Sequence, residues 1–134
     1  MLTFDFNKKG DIGIKKDKND IVIEFNNLIT PNGLETWKNK QIINLDLKDS
    51  NDGYNVKIEI QHLEHELVKL NKLDDIDVSN YTLCPLIKLD RYLRINIPDD
   101  KLILVKPNDK LSGKIIISKV WYFGKQYGLY CKLI

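Results

Sequence analysis

Short runs in which apolar and polar residues alternate, or in which β-branched residues dominate, recur along the chain from its first residues onward. Period-two alternation is typical of a β-strand with one buried face, because successive side chains point to opposite sides. Before the C-terminal region, runs of this kind lie over residues 2–6, 21–25, 42–48, 54–60 and 86–97. We therefore predict β-strands at all five.

The segments between these runs differ in composition. Turn residues fill Pro31–Gly33, Asp49–Gly53 and Pro107–Asp109, so turns are predicted there, and the second of them joins the third and fourth strands into a hairpin. Lysine, aspartate, asparagine and glycine dominate residues 7–20, which we expect to form a mobile loop or a weak hairpin. Residues 102–105 are continuously apolar, which is typical of a buried segment.

One segment has helical rather than strand-like spacing. Leu63, Leu67, Leu70 and Leu73 recur at intervals of four, three and three, which predicts one short helix over about residues 62–73. The chain has 134 residues, six to eight short strands by this count, and no repeat or linker. The sequence therefore predicts a single domain over residues 1–134 with a mainly β fold, either a small barrel or a sandwich.

The C-terminal region predicts a hairpin in which residues 113–123 pair with residues 128–134. Alternation places Ile116, Ser118, Val120 and Tyr122 toward the core, with Leu129, Cys131 and Leu133 of the return strand. The side chains expected on the opposite, solvent-facing side are Ile117, Lys119, Trp121, Phe123, Tyr130 and Lys132. The inverted assignment, with these aromatic rings in the core, stays open because a one-residue shift exchanges the two faces.

Charge is distributed unevenly along the chain. Residues 1–83 carry a net charge of −4 and residues 84–134 a net charge of +6, so an anionic ligand is expected to meet the C-terminal part. The number of lysines is by itself weak evidence for an anionic ligand. The chain has 19 Lys, only two arginines, Arg91 and Arg94, and no alanine, which is the residue usage that an AT-rich genome imposes. A basic surface without any partner therefore stays an alternative.

The N-terminal residues, the length of apolar runs and the cysteines indicate where in a cell the protein is expected. The chain starts without a basic and then apolar leader and has no apolar run long enough to span a membrane, so we expect a soluble, intracellular protein without a membrane partner. Cys84 and Cys131 lie in apolar patterns, and we expect both to be reduced and structural.

Residues suited to catalysis are scarce. His62 and His65 share one face of the predicted helix, but two ligands do not complete a metal site. No nucleophile elbow, phosphate loop or dinucleotide-binding motif is present, and the paired aspartates at 74–75 and 99–100 lie in turn-like surroundings. The sequence therefore predicts no catalytic residue, no metal and no cofactor, and it disfavours an enzyme.

The aromatic and lysine side chains of the final hairpin suit single-stranded nucleic acid, because any base can stack on an aromatic ring while ammonium groups neutralise phosphates. Similar side chains occur in the strand over 86–97 and near residue 37. The predicted nucleic-acid-binding residues are Trp37, Lys38, Lys40, Arg91, Tyr92, Arg94, Lys114, Lys119, Trp121, Phe123, Lys125, Tyr127, Tyr130 and Lys132.

The layout of residues 28–45, 54–60 and 113–134, with Val120-Trp121 and Tyr127-Gly128-Leu129, resembles single-stranded DNA-binding proteins of large DNA viruses and phages. The resemblance implies an OB-like barrel, a single-stranded DNA or RNA partner, and a role in DNA replication inside a host cell. The competing hypothesis is a viral structural or protein-interaction module whose hairpin docks a protein partner. Homo-oligomer formation is left open by both.

Overall fold

The computed structural model describes residues 1–6 and 12–134. Within these residues the fold is mainly β with one α-helix, which confirms the predicted fold class at that level. The elements in chain order are β1 Leu2–Phe6, β2 Ile12–Lys16, β3 Ile21–Thr30, β4 Leu34–Trp37, β5 Lys40–Asp46, α1 Asn51–Val68, β6 Lys72–Leu73, β7 Ile76–Asp77, β8 Thr82–Leu83, β9 Ile87–Lys88, β10 Tyr92–Ile97, β11 Asp109–Phe123 and β12 Gln126–Leu133.

Five strands form a closed ring of hydrogen-bonded neighbours in the order β3, β5, β10, β12, β11 and back to β3. Counted along the chain, the ring strands therefore follow one another as first, second, third, fifth and fourth. All ring pairings are antiparallel except that of β10 with β12. Two junctions are narrow: β3 meets β5 at the pair Ile29–Asp46, and β10 meets β12 at the pair Asn96–Lys132.

The remaining strands extend the ring at its margins. β2 pairs with β11 and carries β1 beside it, β4 pairs with β5, β9 with β10, and β8 runs parallel to β12. The predicted turns at 31–33 and 107–109 are confirmed, since Gly33 N–H donates to Thr30 and Asp109 N–H donates to Lys106. The described residues contain no helix long and apolar enough to cross a membrane.

The core lies inside the ring and under the helix. Alternate residues of β10 point inward, and Leu93, Ile95 and Ile97 are buried as the pattern predicts. Helix α1 packs on β3 through a buried stripe of Val56, Ile60, Leu63 and Leu67, which recur at helical spacing. These side chains belong to the same core cluster as the inward-facing residues of the ring strands, so the helix covers one side of the core.

The prediction of a strand over 54–60 is wrong, because helix α1 begins at Asn51 and ends at Val68. Ser50 is extended and its hydroxyl accepts a hydrogen bond from Gly53 N–H at 2.9 Å, which caps the first turn. Val56 and Ile60 fit both a period of two and a helical spacing of four, so alternation did not distinguish a strand from a helix here. Consequently the segment 49–53 starts a helix instead of closing a hairpin. Residues 69–73, which the prediction of a helix over 62–73 included, lie outside α1.

Three further segments differ from the prediction. The run over 86–97 is interrupted at Leu89 and Asp90, whose φ angles of 54° and 56° form a tight turn between β9 and β10. Residues 102–105 form no strand, and Leu102 and Leu104 are each 87% exposed. In the segment 7–20, residues 12–16 form β2 and complete a hairpin with β1, whereas residues 7–11 lie outside the described residues.

A β-bulge in β11 corrects the face assignment of the final hairpin. Ile117 pairs with Cys131 and Lys119 pairs with Tyr130, so Ser118 is an extra residue that reverses the alternation. Before the bulge Ile115 and Ile117 are buried, so the expected inward Ile116 and outward Ile117 are exchanged. After it, Val120 is buried while Trp121 and Phe123 are exposed, which confirms the predicted solvent face there.

Candidate nucleic-acid interface

The solvent side of the ring brings together side chains that are widely separated in sequence. Residues paired across neighbouring strands point to the same side of a sheet, so the register identifies what shares this face. The pairs on it are Trp37 with Lys40, Arg94 with Asn44, Asn96 with Lys132, and Lys119 with Tyr130. Predicted binding residues from β4, β5, β10, β11 and β12 thus meet on one surface.

This surface contains a groove of about 350 Å³, which we call the basic groove. Its walls hold two tryptophans, three cations and no Asp or Glu among the described residues. The lining residues are Trp37, Lys40, Cys84, Pro85, Leu86, Lys88, Arg94, Asn96, Trp121, Leu129, Tyr130 and Cys131. Aromatic and cationic side chains are therefore combined in one concave site without an opposing carboxylate.

Trp121 has one side fixed by the backbone. Its cross-strand partner is Gly128, where an added Cβ would lie only 3.0 Å from indole atoms Cε2 and Cζ2 and 2.9 Å from the carbonyl oxygen of Cys84. The absence of a side chain at Gly128 lets the indole lie directly on the strand. Trp121 is still 37% exposed, so part of the ring remains open to a ligand.

Trp37 lies on the other wall of the basic groove. Lys38 and Asn39 have φ angles of 48° and 64°, and the tight turn they make places Trp37 directly opposite Lys40. The Nζ of Lys38 lies 4.5 Å from the indole centroid and the guanidinium carbon of Arg94 lies 5.1 Å from it. These cation–π contacts hold positive charge against a ring that is 46% exposed.

The two arginines of the chain are in contrasting states. Arg91 binds Asp46 with two hydrogen bonds, of 2.9 Å from Nε and 2.7 Å from Nη2, and this pairing holds the pKa of the Asp46 carboxyl below its usual range. Within the described residues, Arg94 has no carboxylate partner, and its Nε is buried without a hydrogen bond. Arg91 is thus engaged in the fold, whereas Arg94 lies unpaired in the basic groove.

Several predicted residues surround the groove. The Nζ of Lys119 lies 4.4 Å from the Tyr130 ring centroid, and Lys132 follows on the same face. Phe123 and Lys125 lie at the tip of the hairpin outside the groove lining, and Phe123 is 83% exposed. The hairpin therefore extends the aromatic and basic surface beyond the groove itself.

Other predicted residues are not part of this site. Tyr127 is only 3% exposed and burial raises the pKa of its hydroxyl, so the structure places this predicted residue in the core and not on the groove. Arg91 lies in a different cleft, next to Tyr92, whose ring centroid is 5.0 Å from the Arg91 guanidinium carbon. Lys114 lies opposite Glu24 in the register of β11 with β3, and it does not line the groove.

The sequence pattern does not indicate the groove wall formed by residues 84–88. Cys84 N–H donates to the carbonyl of Tyr127 at 2.8 Å, and Leu86 N–H donates to the Glu64 carboxylate at 2.7 Å. Glu64 is buried on helix α1, and this burial raises the pKa of its carboxyl. A helix carboxylate thus holds one wall of the groove, and Lys88 at the end of that wall adds a cation that the strand pattern alone did not single out.

A larger cleft of about 800 Å³ lies where α1 begins. Tyr54 and Lys57 line it together with Asp90 and Arg91. Two of its three cations are already paired, since Lys57 Nζ contacts the Asp90 carboxylate at 2.7 Å and Arg91 contacts Asp46, and Asp49 adds a further carboxylate to the lining. The cleft is therefore less suited to an anion than the smaller basic groove.

The remaining candidate chemistry is limited in the part of the chain that is described. His62 and His65 are exposed on α1, and no group of three or more His, Cys, Asp or Glu side chains is placed to hold a metal ion. Both cysteines are free thiols, as predicted, and burial raises the pKa of Cys131 to about 12. No family model, curated protein or solved structure matches the chain, so the basic groove is the feature from which function is inferred.

Proposed function

We propose that this protein is a non-enzymatic, sequence-tolerant binder of single-stranded nucleic acid, with DNA favoured over RNA. The observation that carries the proposal is the basic groove, in which Trp37 and Trp121 meet Lys40, Lys88 and Arg94 without an acidic neighbour in the described lining. Base stacking on an aromatic ring contributes about 1–3 kcal/mol per base and is tolerant of sequence. Cations between the rings supply the partners for phosphates.

The fixed position of Trp121 supports this proposal. An indole backed by the Gly128 backbone loses little freedom when a base stacks on it, since the ring is already ordered in the free protein. Phosphates that follow the stacked base meet positive charge on both walls, from Lys40 and Lys88. Shape, charge and preorganisation of the groove therefore support the proposal of a site for single strands.

The ring topology supports an OB-like description of the fold. OB-folds are five-stranded, partly open Greek-key barrels that bind oligonucleotides on the face of the second and third strands and on the loops after the first and fourth. Here the second and third ring strands are β5 and β10, which carry Lys40 and Arg94. Trp37 lies in the connection after the first ring strand, and Phe123 lies where the fourth strand meets the connection to the fifth.

Titration of fluorescently labelled oligo-dT at several salt concentrations tests the proposal. If four or five cations of the groove and hairpin contact phosphates, the slope of log affinity against log salt is about −3 for a single strand. Trp121→Ala is expected to weaken binding by roughly tenfold or more, because one stacked base is lost. The absence of binding by the wild-type protein at low salt would refute the proposed function.

Docking of a protein partner by the hairpin is the second candidate. The observation in its favour is Phe123, which is 83% exposed at the hairpin tip and does not line the basic groove. Exposed aromatic side chains are enriched at protein interfaces. If Phe123→Ala leaves oligo-dT affinity unchanged while Trp121→Ala weakens it, the tip is free for such a partner and the groove alone serves the nucleic acid.

A further inference from the structure

Arg94 is the one arginine of the chain that lacks an acidic partner within the described residues. Its guanidinium lies over the Trp37 ring at 5.1 Å and lines the basic groove, and no carboxylate oxygen of residues 1–6 or 12–134 is within ion-pair distance of it. Its Nε is buried without a hydrogen bond, which is costly for a charged donor. The fold therefore holds in the groove a guanidinium that has no carboxylate partner and an unsatisfied Nε among the described residues.

We propose that Arg94 binds a phosphodiester group of the nucleic acid and fixes the position of the backbone relative to the stacked bases. This inference rests on the proposed function and specifies which ligand group meets the arginine. Guanidinium forms two parallel hydrogen bonds with phosphate oxygens, which an ammonium group cannot do. The cation–π contact with Trp37 restrains the guanidinium in the groove, which favours such a contact.

A phosphate explains the surroundings of Arg94 better than a base edge does. Guanine also accepts two hydrogen bonds from arginine, through O6 and N7. Lys40 and Lys88 share the groove with Arg94, and a base edge would leave their charges without an anionic partner, whereas a phosphate backbone provides anions for all three. The acid-free lining is thus suited to a polyanion in an extended conformation.

The experiment uses Arg94→Gln and Arg94→Lys in the full chain, with oligonucleotides of about 12 bases, which is within the range covered by one OB-fold. For Arg94→Gln we expect a loss of affinity of roughly ten- to a hundredfold that is similar for dT, dA, dC and guanine-containing sequences. The salt slope is expected to become less steep by about 0.7, because one phosphate contact is lost. Arg94→Lys should restore the slope and only part of the affinity, since it keeps the charge and loses the fork.

Arg91→Lys is the matched control, since Arg91 is bound to Asp46 and lies outside the groove, and its salt slope should equal that of the wild type. An unchanged slope for Arg94→Gln, or a loss confined to guanine-containing sequences, would overturn the inference while leaving the proposed function intact. A wild-type protein that fails to bind oligo-dT would overturn both. Displacement of the oligonucleotide by inorganic phosphate at matched ionic strength would show a site for free phosphate and would also overturn the phosphodiester assignment.

Discussion

Gly128→Ala tests whether the backbone positions Trp121 for its ligand. The added Cβ would lie 2.9 Å from the Cys84 carbonyl oxygen and 3.0 Å from two indole carbons. Favourable contacts between carbon atoms are about 3.5–4.0 Å, so the indole and the Cys84 segment must each move by several tenths of an ångström or more. Because both line the basic groove, the substitution is expected to disturb the two walls together.

The expected cost has two parts. Overpacking of this kind destabilises a protein by about 1–3 kcal/mol, which melting experiments measure. Displacement of the indole removes part of a stacking energy of about 1–3 kcal/mol, so we expect oligo-dT affinity to fall by roughly tenfold. Gly13→Ala is the matched control, because Gly13 lies in the same sheet opposite Lys119 and an added Cβ would meet its nearest neighbour at 3.4 Å.

A double-mutant cycle separates positioning from general destabilisation. If Gly128 acts through Trp121, the combination of Gly128→Ala with Trp121→Ala binds oligo-dT about as weakly as Trp121→Ala alone. If the two losses of affinity add fully, Gly128 acts on binding by another route. Wild-type affinity and wild-type stability in Gly128→Ala would contradict the steric reasoning itself.

Three other predictions concern the parts that support the groove. Tyr122→Ala should reduce stability by about 1–3 kcal/mol, because Tyr122 packs partly against the core, whereas its neighbour Trp121 is exposed. The oligo-dT affinity of the folded protein should not fall, and a loss of affinity at normal stability would contradict this. Leu67→Ala should cost about 2–5 kcal/mol in urea unfolding, because Leu67 is fully buried between α1 and the sheet, and a cost below about 1 kcal/mol would show that the helix is not packed as described. Burial raises the pKa of the Glu64 carboxyl above its ordinary value of 4.5, so the folded state binds the carboxyl proton more tightly than the unfolded state. The stability of the wild type relative to Glu64→Gln should therefore fall as pH rises from 4.5 through the raised pKa. A stability difference between the two proteins that does not change with pH would contradict this.

The final hairpin could be predicted because its information is local. The connection predicted between residues 123 and 128 contains the observed turn, although β12 already begins at Gln126. Alternation after residue 119 places Trp121 and Phe123 outside and Val120 inside, and the structure confirms this. The bulge at Ser118 could not be predicted, because it depends on how β11 pairs with β3 and β2 on one side and with β12 on the other. Local alternation carries no information on such long-range pairing.

The start of helix α1 was mispredicted although a signal was present. Ser50 followed by an acidic residue in the first turn is a typical N-cap, but the turn-like composition of residues 49–53 fits a hairpin equally well. The choice between them is made by the stripe from Val56 to Leu67, which is buried only when the segment is helical. Tertiary packing therefore decided an ambiguity that local sequence left open.

The basic groove itself is a long-range feature. Trp37 and Trp121 are separated by 84 positions, and they share a groove only because the ring closes between β10 and β12. The sequence indicated both rings as candidates but could not indicate that they face each other across Arg94. Residues 84–88, which form one wall, show no pattern that distinguishes them from an ordinary loop and short strand.

The narrow junction between β10 and β12 lies where the proposed ligand would bind, so the ligand is expected to stabilise the closed ring. The two strands meet at the pair Asn96–Lys132, and two side-chain bonds cross the same seam: Asn96 Nδ2 donates to the Cys131 carbonyl at 3.0 Å, and Cys131 Sγ donates to the Arg94 carbonyl at 3.3 Å. Arg94 and Tyr130 line the groove from opposite sides of this seam. A single strand bound across them would hold together one of the two narrow closures of the ring. Occupancy of the groove and resistance of the ring to opening would then rise together.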